Sequence, residues 1–224
     1  MLINADFNQR AIVRADRYEW VPSPQPGVER VMLDRIGAEK ARATSIVRYA
    51  PGSSFPAHRH PGGEEILVLK GEFVEDGIPY PAGWYLRSPP RSSHVPSSPT
   101  GATLFVKLWQ MSPEETQAIR VDTNDPKHWR ESGMREICTL LDRAGELVCL
   151  QKIRPHSPLF EHPLRNAEIL VLAGALIEDG LHYKAGSWLR FPGSDQAAVI
   201  TGDEGAKIYM RSGRLIGLPS EAVS

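Results

Sequence analysis

Gly52-Ser-Ser-Phe-Pro-Ala-His58-Arg-His60-Pro-Gly-Gly-Glu64-Glu-Ile-Leu-Val-Leu-Lys-Gly71 is the stretch on which the reading of this chain turns. Residues two apart on a strand project to the same face, about 6.6 Å apart along the chain, so imidazoles at 58 and 60 can converge. The Pro61-Gly62-Gly63 break lets the chain turn before Glu64 brings a carboxylate to the same point. His94 follows thirty-four residues after His60 and supplies a third imidazole. Three neutral nitrogens and one carboxylate suit a divalent first-row metal. His58, His60, Glu64 and His94 are therefore the expected metal ligands. Glu65 is the competing acid; the shared even parity of 58, 60 and 64 favours Glu64. Glu65 is expected to point outward and pair with a cation, or to support a ligand from behind.

The apolar end of that stretch belongs to a repeat. Ile66-Leu-Val-Leu-x-Gly71-x-x-x-Glu75-Asp-Gly77-x-x-Tyr80-x-Ala-Gly83-x-x-Leu86-Arg87-x-Pro89 returns as Ile169-Leu-Val-Leu-x-Gly174 through Leu189-Arg190-x-Pro192. The offset is constant (169 − 66 = 103) and ungapped. Leu33-Asp-Arg35 likewise returns as Leu141-Asp-Arg143. The chain is a duplicated domain, with expected domains 1–118 and 119–224. Short runs rich in β-branched and aromatic residues at Ala43–Ala50, Glu65–Leu69, Gly83–Arg87 and Thr103–Gln110 read as strands. Asp76-Gly77 reads as a hairpin turn. Glu75 and its repeat are taken with that turn, and Arg87 with its repeat Arg190 as serving the fold. The best helical candidate is Ser112–Ile119, with Ser112 as N-cap and Pro113 at the first position. Many strands, frequent turns and few helices indicate an all-β sandwich or barrel in each copy.

At these residues the first copy resembles a cupin. The first motif of that superfamily is met by Gly52, His58, His60, Glu64 and Gly71 at every spacing. Gly83, Pro89 and His94 fit the second motif, while Arg91 stands at its inner Gly and Ser98 at its terminal Asn. Those departures bear on loop shape. The flanks Ala43–Gly52, His60–Glu65, Tyr80–Gly83 and Arg87–Pro90 are similar to the cupin module of ChrR-type anti-sigma factors. The resemblance implies tandem jelly-roll barrels and a bound divalent metal, with zinc first and iron, manganese or nickel as alternatives. It also implies a sensory or regulatory role. In that family a separate helical domain binds the sigma factor. Cupin-like text begins here near Tyr18, so the sensory module is expected without the sigma-binding one. A sigma-factor partner then rests on analogy alone.

The second copy has lost the ligands: His58, His60, Glu64 and His94 map to Glu161, Pro163, Ala167 and Ala197. A local gap brings His162 toward a ligand place, and Glu161, His162 and Glu168 make at most a weak site. Around zinc, four protein ligands close a tetrahedron. Around an octahedral metal they leave two positions for dioxygen, water or a chelating substrate. The sequence therefore admits a sensor for a metal or small oxidised ligand, a non-haem dioxygenase acting on a diketone, enol or aromatic compound, and a metal-stapled scaffold. Tyr49, Phe55, Tyr80, Trp84, Tyr85 and Arg87 fall near the expected barrel mouth.

With 224 residues, 41% hydrophobic and 24% charged, the chain has an ordinary globular composition. A net charge of −1 without basic runs gives no attraction to nucleic acid or anionic lipid. No signal pattern or membrane-length apolar run is present, so the expected location is cytoplasmic. A homo-oligomer is expected from exposed sheet edges. Cys138 and Cys149 face each other if Asp142–Gly145 is a hairpin turn that pairs Leu141 with Glu146. They read as buried thiols, with a reversible disulfide switch as the sharper option.

Overall fold

The computed structural model describes residues 1–38, 40–143, 145–161, 166–195 and 197–213. Their contacts divide the chain into two compact units. One comprises 1–5 and 19–124; the other comprises 6–18 and, among the described residues, 125–213. Each is an antiparallel β-structure, and the described residues contain no α-helix, only 3-10 turns at Ala15–Arg17 and Pro126–His128. Among the described residues, no helix is long and apolar enough to cross a membrane.

The two units share one strand order, which is how the repeat shows itself in space. In the first, the main path runs through Val28–Gly37, Ala41–Tyr49, Ala102–Leu108, Glu64–Glu75, Trp84–Ser88 and Ile119–Asp122. In the second it runs through Arg135–Arg143, Glu146–Ile153, Ile200–Gly213, Ala167–Glu178, Trp188–Phe191 and Ala11–Val13. These are tandem cupin jelly rolls. Alternation along the strands sends Ile66, Val68, Leu104 and Val106 into one core and Ile169, Val171, Ile208 and Leu189 into the other. Asp76 and Gly77 turn with φ of 52° and 82° between paired Glu75 and Ile78, the primed turn that suits strand twist. Asp179-Gly180 repeats it at 48° and 77°.

The final strand of each path differs from what the repeat suggests. Ile119–Asp122 pairs with Trp84–Ser88 and so belongs to the first unit, beyond the expected cut at 118/119. Ala11–Val13 pairs with Trp188–Phe191 and belongs to the second, although it lies far upstream. Both segments satisfy the open edge of a repeated strand, and they stand 108 residues apart (119 − 11), the offset that also relates Leu33 to Leu141.

Three local expectations are corrected. Ser112–Ile119 is not helical. Ser112 and Glu115 do bond locally, the Glu115 amide to the Ser112 carbonyl at 3.0 Å and the Ser112 amide to Glu115 Oε1 at 3.2 Å. Glu115 is instead drawn inward to receive two hydrogen bonds from Arg87, and Ile119 onward is taken by strand pairing. Cys138 and Cys149 do not face each other. The turn pairs Arg143 with Glu146, and a bulge between Thr139 and Leu141 sets Cys138 opposite Leu150 and Cys149 opposite Thr139. Both are buried free thiols. Glu65 is not outward in the sense of solvated: it is 2% exposed and ion-paired with Arg87 at 2.8 Å. Arg87, fully buried between Glu65 and Glu115, is the internal tie that the repeat suggested.

Candidate metal centre

The hairpin-like pair His58–His60 and Ser92–His94 forms a small separate sheet, with His94 opposite His58 and Ser92 opposite His60. His58 and His60 share a face as neighbours two apart; His94 joins them across the strand pair. The chain then turns sharply into Glu64–Glu75. Gly63 takes φ of +76°, and a Cβ on Gly62 would lie 2.5 Å from the Trp109 ring. Both glycines are required there, one by backbone conformation and one by space. On the other side, Arg91 occupies the left-handed region at φ 72°. The conformation that glycine serves in the cupin motif is thus kept by an arginine, at a cost of about 1 kcal/mol. The Ser98 hydroxyl donates to the Glu72 carbonyl at 2.6 Å and ties the loop where the motif has Asn.

The result is a nearly equilateral triangle of imidazoles, with ring centroids 4.7, 4.7 and 4.8 Å apart. Their ligand nitrogens all lie within 4.8 Å of one another. His60 Nε2 and His94 Nε2 are 2.9 Å apart. Glu64 Oε2 lies 3.4 Å from His60 Nε2 and 3.5 Å from His94 Nε2. The three imidazoles come together, and Glu64 lies beside two of them, His60 and His94.

Two observations test whether a cation fits. Glu64 Oε2 is buried with no hydrogen-bond partner, a costly state for a carboxylate oxygen unless an ion completes it. The far sides of two imidazoles are also assigned. His58 Nδ1 donates to the Pro56 carbonyl and His94 Nδ1 to Glu75 Oε1, each at 2.9 Å, which puts the lone pair of each neutral ring on Nε2. Donor atoms about 2.1 Å from one cation stand roughly 3.0 to 3.4 Å apart at right or tetrahedral angles. The spacings among His60, His94 and Glu64, at 2.9, 3.4 and 3.5 Å, match that, and the His58 nitrogen lies within 4.8 Å of the other two imidazole nitrogens. The residues fit a divalent first-row metal.

Electrostatics agrees. Burial, helped by the neighbouring imidazoles, pushes His60 down to about 3, so it stays neutral and able to ligate. His58 is lowered too, chiefly by burial. Burial works against the charged form of His94, but the hydrogen bond to Glu75 and the nearby Glu64 outweigh it and raise its pKa. Burial drives Glu64 up to about 7. A cation at the centre would reverse that last shift by favouring the carboxylate.

Glu75 ends the strand at the hairpin turn, and the structure gives it a second task. Its carboxylate holds His94 Nδ1 with one oxygen and Arg120 Nη2 with the other, the latter at 2.5 Å. Arg120 comes from the added edge strand and also bonds Ser88 Oγ and the Arg87 carbonyl. The repeat concealed this role, because Glu178 keeps the acid in a copy without ligands and uses it for Arg10 instead.

A cavity of about 420 Å³ opens on the imidazoles and Glu64. Of the aromatic residues expected near a mouth, Tyr49 and Phe55 line it, joined by Phe73 and Trp109. Tyr80 and Trp84 instead meet edge to face, Tyr80 in the core and Trp84 packed against it, and Tyr85 is fully buried. In the second unit the mapped positions do other work. Glu161 pairs with Arg135 at 3.1 Å, Glu168 accepts from Trp188 Nε1, Ala167 is core and Ala197 packs against it. Pro163 and His162, and with the latter the weak three-residue site, lie outside the described residues.

Twin jelly rolls with this His-His-Glu-His arrangement give the chain the cupin fold. Residues 8–112 match the family model described as the ChrR cupin-like domain. No curated protein matches the sequence significantly. Among solved structures, the chain is similar to a suspected dioxygenase from Nostoc punctiforme, with TM-score 0.71 and 16% identity over 95% of this chain and 85% of that one. It is similar to the bacterial pirin YhhW in complex with nickel(II) from Escherichia coli, at TM-score 0.67 and 14% identity over 93% of this chain and 100% of that one. It is also similar to Bacillus subtilis oxalate decarboxylase, which has Mn(II) centres, at TM-score 0.61 and 11% identity over 92% and 78%. At such identities the likeness is one of fold.

Proposed function

We propose that the first barrel holds one divalent transition metal on His58, His60, Glu64 and His94, and that a small molecule entering the adjacent cavity completes the metal's coordination. The observation that carries this is the unpartnered, buried Glu64 oxygen among three imidazoles, all on the wall of a 420 Å³ cavity. In this reading the chain is a sensory or regulatory binding module of the ChrR cupin kind, answering to a metal or a small oxidised ligand. Zinc is the metal the family resemblance favours. A purely structural ion would need no such space, whereas cavities of this size are typical of ligand sites.

The same cavity supports a second reading, a metal-dependent dioxygenase for a small diketone, enol or aromatic compound. When bound, the metal would supply Lewis acidity and a place for oxygen and substrate to meet. The residues would divide the remaining work. The aromatic wall of Tyr49, Phe55, Phe73 and Trp109 would exclude water, and Glu64 would alternate between holding the metal and accepting a proton. Elemental analysis of protein purified without added metal, followed by anaerobic ferrous loading and oxygen uptake with pentane-2,4-dione and related diketones, separates these readings. Stoichiometric zinc without oxygen uptake supports the binding module and removes the oxygenase. Substrate-dependent uptake does the opposite. Absence of any metal from wild type, unchanged in His60→Ala, removes both.

A further inference from the structure

The cavity beside the imidazoles is charged unevenly. Arg30, Arg35, Lys40 and Arg59 line it, against Glu64 as the single acid, which the metal reading already employs. Two of those cations come from one strand and reach the wall by a specific device. Val28, Arg30 and Met32 stand opposite Tyr49, Val47 and Ser45, so even-numbered residues face the cavity side. A regular strand would next send Asp34 inward and Arg35 outward. The register instead slips between Met32 and Asp34, with Leu33 as the extra residue, and Arg35 comes to stand opposite the cavity-lining Ala43. Asp34 is turned to the other face and pairs with Arg42. The bulge exchanges an acid for a base in the cavity wall.

Neither guanidinium has a carboxylate partner among the described residues. Arg35 donates to the Ala38 carbonyl, and Arg30 Nε is buried with no hydrogen-bond partner. The two crowd each other: burial first, and then the charge of Arg30, lowers the pKa of Arg35. The same cavity is also lined by apolar side chains, Val47, Ile66, Leu104, Val106 and Leu108. Like charges held together beside an apolar chamber call for an anion that brings its own apolar body.

We propose that the cavity receives an organic carboxylate with an apolar body, its acid group held by Arg30 and Arg35 and its other polar end turned toward the metal ligands. The second half of that statement rests on the metal reading above; the first half does not. The test is calorimetric titration of the zinc-loaded full chain with phenylpyruvate and with its methyl ester, alike in shape but differing in charge. The acid is expected to bind at least tenfold more tightly than the ester, on the scale of one charge-assisted hydrogen-bonding pair. Arg30→Gln should abolish that preference with ester binding, zinc stoichiometry and thermal stability unchanged, and Arg30→Lys should restore part of it. Equal binding of acid and ester overturns the proposal, as does binding of neither, or a preference that survives both Arg30→Gln and Arg35→Gln. An Arg30-dependent preference in protein that takes up no metal would uphold the carboxylate site while sinking the metal reading. Stoichiometric zinc with no preference would do the reverse.

Discussion

Replacing Glu75 by Gln separates a residue that orients a metal ligand from one that merely ends a hairpin. Glu75 is 7% exposed and is bonded on both sides, to His94 Nδ1 at 2.9 Å and to Arg120 Nη2 at 2.5 Å. Both partners are donors, so both carboxylate oxygens are needed as acceptors. Glutamine offers one acceptor and one donor. If its oxygen takes the His94 proton, its amide group confronts the Arg120 guanidinium; flipped, it confronts His94. Either way His94 loses its charged acceptor and, with it, basicity at Nε2. Loss of such a backing group costs roughly tenfold to hundredfold in metal affinity, or about 1.4 to 2.7 kcal/mol. The assay is a competition titration for zinc against a chromophoric chelator, run beside Glu178→Gln. Glu178 is the repeat partner of Glu75 and carries the same turn, but it serves Arg10 in the unit without ligands. Glu75→Gln is expected to weaken zinc binding by the stated factor, whereas Glu178→Gln should lower thermal stability and leave zinc affinity as in wild type. If both variants lose stability and neither loses affinity, Glu75 is a hairpin anchor and the reasoning is wrong.

Three further outcomes are expected. In metal-free protein, burial holds Glu64 at about 7 against an ordinary value of 4.5, so the folded state binds the extra proton between those limits and its stability falls as pH rises through them. Metal-free Glu64→Gln should therefore gain in melting temperature relative to wild type from about pH 5 to pH 8, and a pH-independent difference would count against a buried, cation-seeking carboxylate. Gly62→Ala places a Cβ 2.5 Å from the Trp109 ring, so one of them must move; a loss of about 1–3 kcal/mol by chemical denaturation is expected, together with weaker metal binding. Cys138 and Cys149 are both 0% exposed, and burial raises the pKa of each, Cys149 to about 11. Neither should react with a thiol reagent at neutral pH until the protein is denatured, and rapid labelling of the native protein would reopen a redox role.

The sequence by itself determined the parts that depend on short-range periodicity. An ungapped repeat with a two-residue turn in each copy makes two like β-domains, because alternation and turn chemistry act within a few residues. The spacing of His58, His60 and Glu64 placed three of the four gathered side chains, since one strand, one glycine turn and the start of the next strand hold them. Tertiary structure alone decided the rest. Arg120 reaches Glu75 and Ala11–Val13 completes the second sheet because open sheet edges are satisfied by segments distant in the chain, a pairing that local alternation does not mark. Ser112–Ile119 has good helix-start chemistry and still forms no helix, because burying Glu115 against Arg87 outweighs local preference. The bulge at Leu33 decides which of two adjacent opposite charges faces the cavity, and a one-residue slip in register leaves no mark in an alternating pattern. Local signals fix which side chains share a strand face; only the folded sheet fixes what that face meets.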